Sequence, residues 1–387
     1  MNIYIDYTTV EDLEKDIGTY TGAGNYTRDL ISALKDNGIE GKLLVYKGFI
    51  PSKRWERDLL ADGSMTVGTQ DITGFGFSDG DILLLPAVTG RILAKISRIR
   101  KKHPRLKIYA VIHDRQHNIP RFDPMDRYFH EGIARFVPVL FAKYILKKLA
   151  YDLLYPGWIK SIDKVFTVSN HTLQALSHKN LKRITYFYQF TSITERISGK
   201  APEKAGPGEY ILLVSGGRPE KNLGRALLAF RDFCKEADTD SKLCITGIDR
   251  KKLIHIAGRL KLTRKFMEDH VLSYGYVERE ELAYLYRNCR YVIFVSKGEG
   301  FGLPVLEAIQ FGKTVLCSRQ SSMPEVCGSI LYYVDAFNVA SIREGMLYLN
   351  DDRNLSYREK LAEKKKKIMD EQMKLDQQVL MEEIAGE

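Results

Sequence analysis

Short apolar runs recur along this chain, each followed by a stretch with helical spacing. Residues 2–6 form the first run, and a loop then reaches Thr21, Gly22, Ala23 and Gly24. A helix follows, with Leu30, Ile31 and Leu34 on one face and a stop at Asn37-Gly38. Runs at 43–46, 65–68, 81–85, 107–112, 163–168 and 184–190 read as further strands, with helical signals between them. One of those signals, between Arg91 and Lys107, is rich in Arg and Lys and carries Ile92, Ile96 and Ile99 on one face. Strand–helix alternation of this kind predicts a parallel sheet covered by helices on both faces. Residues 198–208 hold Gly199, Pro202, Gly206, Pro207 and Gly208 among Lys and Glu, which marks a linker. The alternation then restarts, with strands expected at 210–214, 242–246, 271–275, 291–295, 314–318 and 330–334. The expected fold is therefore α/β: two Rossmann-like, doubly wound parallel-sheet domains, 1–197 and 209–370, joined by the linker 198–208, with a last helix over 371–387.

Composition narrows this picture only a little. The chain has 387 residues, 44% hydrophobic and 28% charged, enough to build two domains with cores of their own. No apolar run approaches the length of a membrane span, and the N-terminus lacks the pattern of a secretory signal. Five cysteines, an odd number without any Cys-x-x-Cys, read as reduced buried thiols of a cytoplasmic protein rather than a zinc site or disulfide framework. The net charge of +10 suits anionic substrates, an anionic membrane face or nucleic acid.

Candidate chemistry concentrates at strand ends. The run at 291–295 leads into Ser296-Lys297-Gly298-Glu299-Gly300-Phe301-Gly302-Leu303-Pro304, and Pro304 opens a helix that carries Glu307. A strand, a glycine-rich turn and a helix N-terminus make an anion cradle. Carboxylates such as Glu299 and Glu307 are poor phosphate ligands but good acceptors for vicinal hydroxyls. Sugar hydroxyls beside a phosphate suggest a nucleotide sugar. Arg218 and Lys221 stand just before another helix start, where the helix dipole disfavours cations unless an anion is held there. Gly22-x-Gly24 lacks the third glycine of a dinucleotide fingerprint. Two Asp-x-Asp triplets, 79–81 and 238–240, fall at the amino ends of strands and read as turns. Residues 136–158 are apolar, aromatic and basic together. That pattern suits a helix lying on an anionic membrane, although a helix packed on its own domain with its lysines in water is the commoner source of it.

Glu299-x7-Glu307 around Gly-Phe-Gly-Leu-Pro resembles the signature of retaining, family-4-type glycosyltransferases of the GT-B fold. The likeness extends to Arg218-x-x-Lys221-Asn222, to Gly275-Tyr276-Val277, to the Gly22–Gly24 loop and to His113-Asp114 at the end of a strand. It implies two domains facing a cleft, with the last helix returning to the first domain through Met373, Leu375, Val379, Leu380 and Ile384. It implies a catalytic group of Arg218, Lys221, Glu299 and His113. Donor-binding positions would be Gly22, Gly24, Tyr276, Val277, Gly300, Phe301, Gly302, Leu303 and Glu307. The implied reaction moves a hexose-type sugar from a UDP- or GDP-sugar to a glycan or lipid-linked glycan, with retention and without metal or other cofactor, in cell-surface polysaccharide synthesis. A GT-B nucleotide-sugar 2-epimerase and a non-catalytic partner subunit are the alternatives. Nucleic acid is not an expected partner, because it explains the charge but not the paired α/β pattern.

Overall fold

The computed structural model describes the chain apart from residues 18–21, 62–65, 115–121, 131, 178–183, 188–193, 195, 203–209, 215, 330 and 386–387. Thr21 of the expected glycine loop, most of the expected linker and the ends of the runs at 65, 190 and 330 therefore lie outside the described residues. The chain divides into two compact units. One comprises residues 1–115, 148–190 and 372–387, the other 116–147 and 191–371.

The first unit is built on β1 (Ile3–Asp6), β2 (Gly41–Tyr46), β3 (Thr66–Thr69), β4 (Ile82–Leu85), β5 (Lys107–Ile112), β6 (Lys164–Thr167) and β7 (Ile184–Tyr186), all parallel in the order β3-β2-β1-β4-β5-β6-β7. The chain winds outward both ways from the β1–β4 pair, so the ends of those strands flank a topological switch point. Burial follows the apolar runs: every residue of β1 and β4 is buried. The basic segment is a helix, Gly90–Lys102, whose Ile92, Leu93, Ile96 and Ile99 pack inward and whose last turn is Arg100, Lys101 and Lys102. Thr89 caps it by accepting from the Ile92 amide.

Two local expectations change. The residues after β1 do not form one long loop, because Thr8–Ile17 is a helix. Asp6 starts it by accepting from the Thr8 amide at 3.0 Å and the Thr8 hydroxyl at 2.7 Å, and Val10 is fully buried. Gly22 and Gly24 then lie in the first turn of the helix Gly22–Asp36 rather than in a loop. Gly24 is closely packed: an added Cβ would stand 2.6 Å from Glu14 Oε1, the end of a side chain that would have to shift. The final helix runs Asp352–Ala385. Leu380, Met381 and Ile384 are buried, and Lys164 Nζ donates to the Glu383 carbonyl at 2.9 Å and pairs with its carboxylate. Leu375, expected on the packed face, is 57% exposed.

The second unit repeats the design with six parallel strands: β8 (Tyr210–Leu213), β9 (Lys242–Thr246), β10 (Val271–Gly275), β11 (Cys289–Phe294), β12 (Val315–Ser318) and β13 (Tyr332–Val334), in the order β10-β9-β8-β11-β12-β13. β8 lies between β9 and β11, with Leu212 opposite Cys244 and Val292. The switch point is the β8–β11 pair. The strand β11 starts earlier than its apolar run suggests, because Cys289 pairs with Tyr210 before the register shifts. The core joins Leu213, Ile245, Tyr291 and Ile293 of the sheet to Leu227, Phe230 and Phe233 of the helix Leu223–Ala237. All five cysteines are free and buried. Among the described residues, no helix is long and apolar enough to cross a membrane.

Candidate active site at the switch point of the second unit

The chain leaving β8 turns through Gly216, Gly217 and Arg218 into a single helical turn, Pro219–Lys221, which Asn222 closes in the left-handed region at φ 63°. The Asn222 side chain makes that conformation useful. It donates to the Val295 carbonyl at 3.0 Å and to that of Ala336 at 2.6 Å, fastening the turn to the ends of β11 and β13. The loop after β11 is stitched to the same turn, since the Lys297 amide donates to the Glu220 carbonyl at 2.8 Å. Backbone and side-chain bonds thus hold two catalytic candidates from opposite sides of the switch point side by side.

Lys221 Nζ meets Glu299 Oε1 at 2.7 Å, and both side chains are largely removed from water, 5% and 13% exposed. The Ser296 hydroxyl lies 2.6 Å from the same carboxylate oxygen. Among the described residues Glu299 Oε2 has no hydrogen-bond partner. The Phe294 ring lies under the ammonium at 4.9 Å. Arg218 is different: its side chain is 56% exposed and touches only Glu220 Oε1, at 3.2 Å, among the described residues. The site therefore presents a buried Lys–Glu pair and an exposed guanidinium suited to forked contact with an anion.

Gly302, at φ 100°, precedes the helix Leu303–Gln310. Its conformation disfavours any side chain, and a Cβ there would run into Met323. The Ser322 hydroxyl reaches both the Glu299 and Phe301 carbonyls, at 3.1 Å each, so the glycine turn is braced from the β12 side. Glu307 is buried, and its Oε2 accepts from the Tyr286 hydroxyl at 2.7 Å. Burial, and then the neighbouring carboxylate, push the Tyr286 phenol well above its ordinary range and keep it a donor. Gly217 packs against the Gly247 carbonyl, and the Gly247 amide donates to the Gly275 carbonyl, so the turns after β8, β9 and β10 lie side by side. Tyr276 follows Gly275 and is 55% exposed, with Val277 partly buried beside it.

In the first unit, His113 follows β5 and its Nε2 lies 2.8 Å from the Pro86 carbonyl at the end of β4. Tyr26, two residues after Gly24, places its ring edge-on to the imidazole at 4.5 Å. These contacts bring the Gly22–Gly24 turn and His113 to one end of the sheet. Burial depresses the imidazole to about 4 despite the opposing bond to Pro86, so the ring is neutral near pH 7. The Asp-x-Asp triplets are turns: Asp81 accepts from the Asn2 and Ser78 amides, and Asp238 ends a helix at φ 46°.

An ionic clamp went unread in the sequence. Lys297, within the glycine-rich motif, is 1% exposed and pairs with Asp123 at 2.9 Å and with Asp126. Arg225 grips Asp123 with two parallel bonds of 2.6 and 2.9 Å. Burial opposes ionisation of Asp123, but Arg225 and Lys297 outweigh it and hold the carboxyl well below the usual range. A lysine at the end of a buried strand was the only hint, because its partner lies 174 residues away.

Comparison with known proteins bears on the second half of the chain. Residues 195–368 match the family described as "Glycosyl transferases group 1". That part of the chain is a group 1 glycosyl transferase domain. It contains Arg218, Lys221, Tyr276, Val277, Glu299 and Glu307, as well as the whole glycine-rich motif, whereas Gly22, Gly24 and His113 precede it. The chain is 34% identical over 144 residues to O-antigen chain mannosyltransferase B of Escherichia coli, covering 37% of each protein. It is 28% identical over 134 residues to the serotype-specific mannosyltransferase WbdA of Escherichia coli, or 35% of this chain and 16% of that one. The aligned segments thus span well under half of these relatives. Over its full length the chain resembles the Anabaena protein HepE, solved with UDP and glucose, at a TM-score of 0.67, 13% identity and complete coverage of both chains. That likeness shows the fold, GT-B.

Two measurements check this geometry. Asp123→Ala leaves Lys297 and Arg225 short of a buried counter-charge, and urea unfolding should show a loss of about 3–5 kcal/mol, the range for breaking a buried ion pair from one side. Because the folded form holds His113 neutral, stability tied to it is complete above its ordinary value of 6.5 and declines as pH falls toward about 4. Urea midpoints at about pH 7 and about pH 5 should therefore fall less for His113→Gln than for the parent chain. Equal falls would contradict the assignment.

Proposed function

We propose that the chain is a retaining glycosyltransferase that moves a hexose from a UDP- or GDP-sugar to a glycan or lipid-linked glycan acceptor. The observation that carries this reading is the Lys221–Glu299 pair, with the exposed Arg218 beside it, at the carboxyl ends of β8 and β11. Ligands of open α/β sheets bind at such switch points. In the reaction, the bond from the anomeric carbon to the diphosphate breaks and a bond to the acceptor oxygen forms on the same face. The acceptor proton passes to an oxygen of the departing diphosphate. Negative charge therefore grows on that diphosphate, and Arg218, Lys221 and the amides of residues 300–303 stabilise it. Two cations and a set of amides supply what a metal otherwise would, which is why no metal is required.

Glu299 Oε2 accepts from hydroxyls of the donor sugar and Glu307 from those of the ribose. The turn at Tyr276 and Val277 receives the base. Within the first unit, His113 is a neutral imidazole joined through Tyr26 to the turn at Gly22 and Gly24. Mannosyl transfer named for both Escherichia coli relatives makes mannose the first hexose to test, and O-antigen synthesis supports a role in cell-surface polysaccharide. The five buried free thiols favour a reducing compartment, hence the cytoplasm.

Turnover should fall by roughly 10²–10³ in kcat in Arg218→Ala and in Lys221→Ala, the range for removing one electrostatic stabiliser. Arg218→Ala is the cleaner variant, because its exposed side chain can be removed without stranding a buried carboxylate. Unchanged turnover in both would overturn the mechanism. Donor consumption that proceeds equally well without acceptor would replace transfer with the epimerase reading.

A further inference from the structure

We propose that Tyr286 is a positioning residue: it sets the orientation of the Glu307 carboxylate and, through it, the preference of the site for ribonucleotide over deoxyribonucleotide donors. The proposal rests on the reading that Glu307 accepts from the ribose hydroxyls, and it assigns a residue outside the glycine-rich motif to that contact.

Glu307 is out of keeping with its surroundings. It lies in the helix Leu303–Gln310, in which every residue from Pro304 to Gln310 is buried. A carboxylate there costs stability that an apolar residue would not, and burial is tolerable only with hydrogen bonds in place. Tyr286 supplies one, its hydroxyl 2.7 Å from Glu307 Oε2. The Pro304 carbonyl is also near that hydroxyl, at 3.3 Å. A phenol has a single proton to give, and the shorter bond to the charged acceptor takes it. Burial, and then the carboxylate, hold the phenol well above its ordinary range, so Tyr286 serves as a donor and not as a base.

The rest of the tyrosine is fixed. Its helix, Arg279–Asn288, starts where Glu281 accepts from the Glu278 amide at 2.9 Å. The neighbouring Leu285 carbonyl accepts from the Tyr210 hydroxyl at 2.9 Å, which ties the helix to the start of β8. The Tyr286 ring is fully buried and stacks on Phe311, with centroids 5.6 Å apart and planes 12° from parallel. Phe311 closes the Glu307 helix and Pro304 lies in its first turn, so Tyr286 touches both ends of it. A phenylalanine would fill the same space and keep the stack. What the hydroxyl adds is a fixed direction for a flexible side chain, whose freedom would otherwise be lost on binding. Vicinal ribose hydroxyls then meet a carboxylate already aimed. A deoxyribose leaves part of that buried acceptor unpaired.

Equilibrium binding to the full chain tests this, with UDP, GDP and the 2′-deoxy and 3′-deoxy forms of each. The parent should bind one ribonucleotide at least about tenfold more tightly than a deoxy form of it, the size of one lost hydrogen bond to a charged group. Tyr286→Phe should weaken the ribonucleotide roughly tenfold, leave that deoxy form within about twofold, and so erase the preference. Added to Glu307→Gln, Tyr286→Phe should change affinity no further, because the hydroxyl acts only through the carboxylate. That comparison also decides the matter if Tyr286→Phe alone does not fold. A merely structural hydroxyl would lower the unfolding midpoint and weaken both forms alike. A preference kept in Tyr286→Phe, or a further loss in the double variant, overturns the proposal and leaves the ribose contact standing. A parent chain that binds both forms equally, or neither, instead removes the ribose role of Glu307, and the proposal falls with it.

Discussion

The second unit is organised around one buried ion pair, Lys221 with Glu299. Taking two charges out of water costs several kcal/mol per ion, and mutual attraction does not reliably repay it. A pair in such a position is therefore weak evidence for stability and better evidence for a requirement elsewhere. Here it fixes the carboxylate by one oxygen and holds a cation against a glycine turn and a helix start, where the backbone already favours an anion. Asn222, Ser296 and Ser322 exist in this arrangement as fasteners, each tying one loop of the site to another.

The same logic reaches further out. Lys297 sits between Ser296 and Glu299, yet it turns away into Asp123 and Asp126, while Arg225 grips Asp123 from the neighbouring helix. The glycine-rich motif is thereby anchored at two points: Glu299 to Lys221 of the turn after β8, and Lys297 to the Asp123 clamp. Preorganised charge of this kind is what transfer from a diphosphate leaving group demands, since donors must be in place before the charge develops. Gly302 adds the geometric half, because no other residue combines its φ of 100° with the contact against Met323.

Much of this was legible in the sequence because it is local. Strand cores such as 107–112 and 242–246 announce themselves by apolar runs, and the glycine motif by composition. Arg218 and Lys221 were readable because cations before a helix start conflict with the dipole. The unread parts are those set by contacts remote in the chain. The clamp on Lys297 joins residues 174 apart. Tyr286 holding Glu307 depends on packing between two helices. The helix Thr8–Ile17 was missed for another reason: its start is an aspartate cap inside the strand end, and polar residues dilute its spacing. Leu375 shows the converse, an apolar residue in a long helix that faces water because its neighbours Leu380 and Ile384 take the packed face.

The central claim is that the switch point of the second unit binds a nucleotide diphosphate through Arg218 and Lys221 without metal. Thermal unfolding in the presence of a chelator, with UDP or GDP added in turn, tests it most directly. One of the two should raise the midpoint, as expected for a ligand that stabilises the folded state by about 2.7 kcal/mol at a hundred times its Kd. The shift should shrink in Arg218→Ala, whose midpoint without ligand stays that of the parent. No shift with either nucleotide, or a shift that Arg218→Ala leaves untouched, would contradict the account.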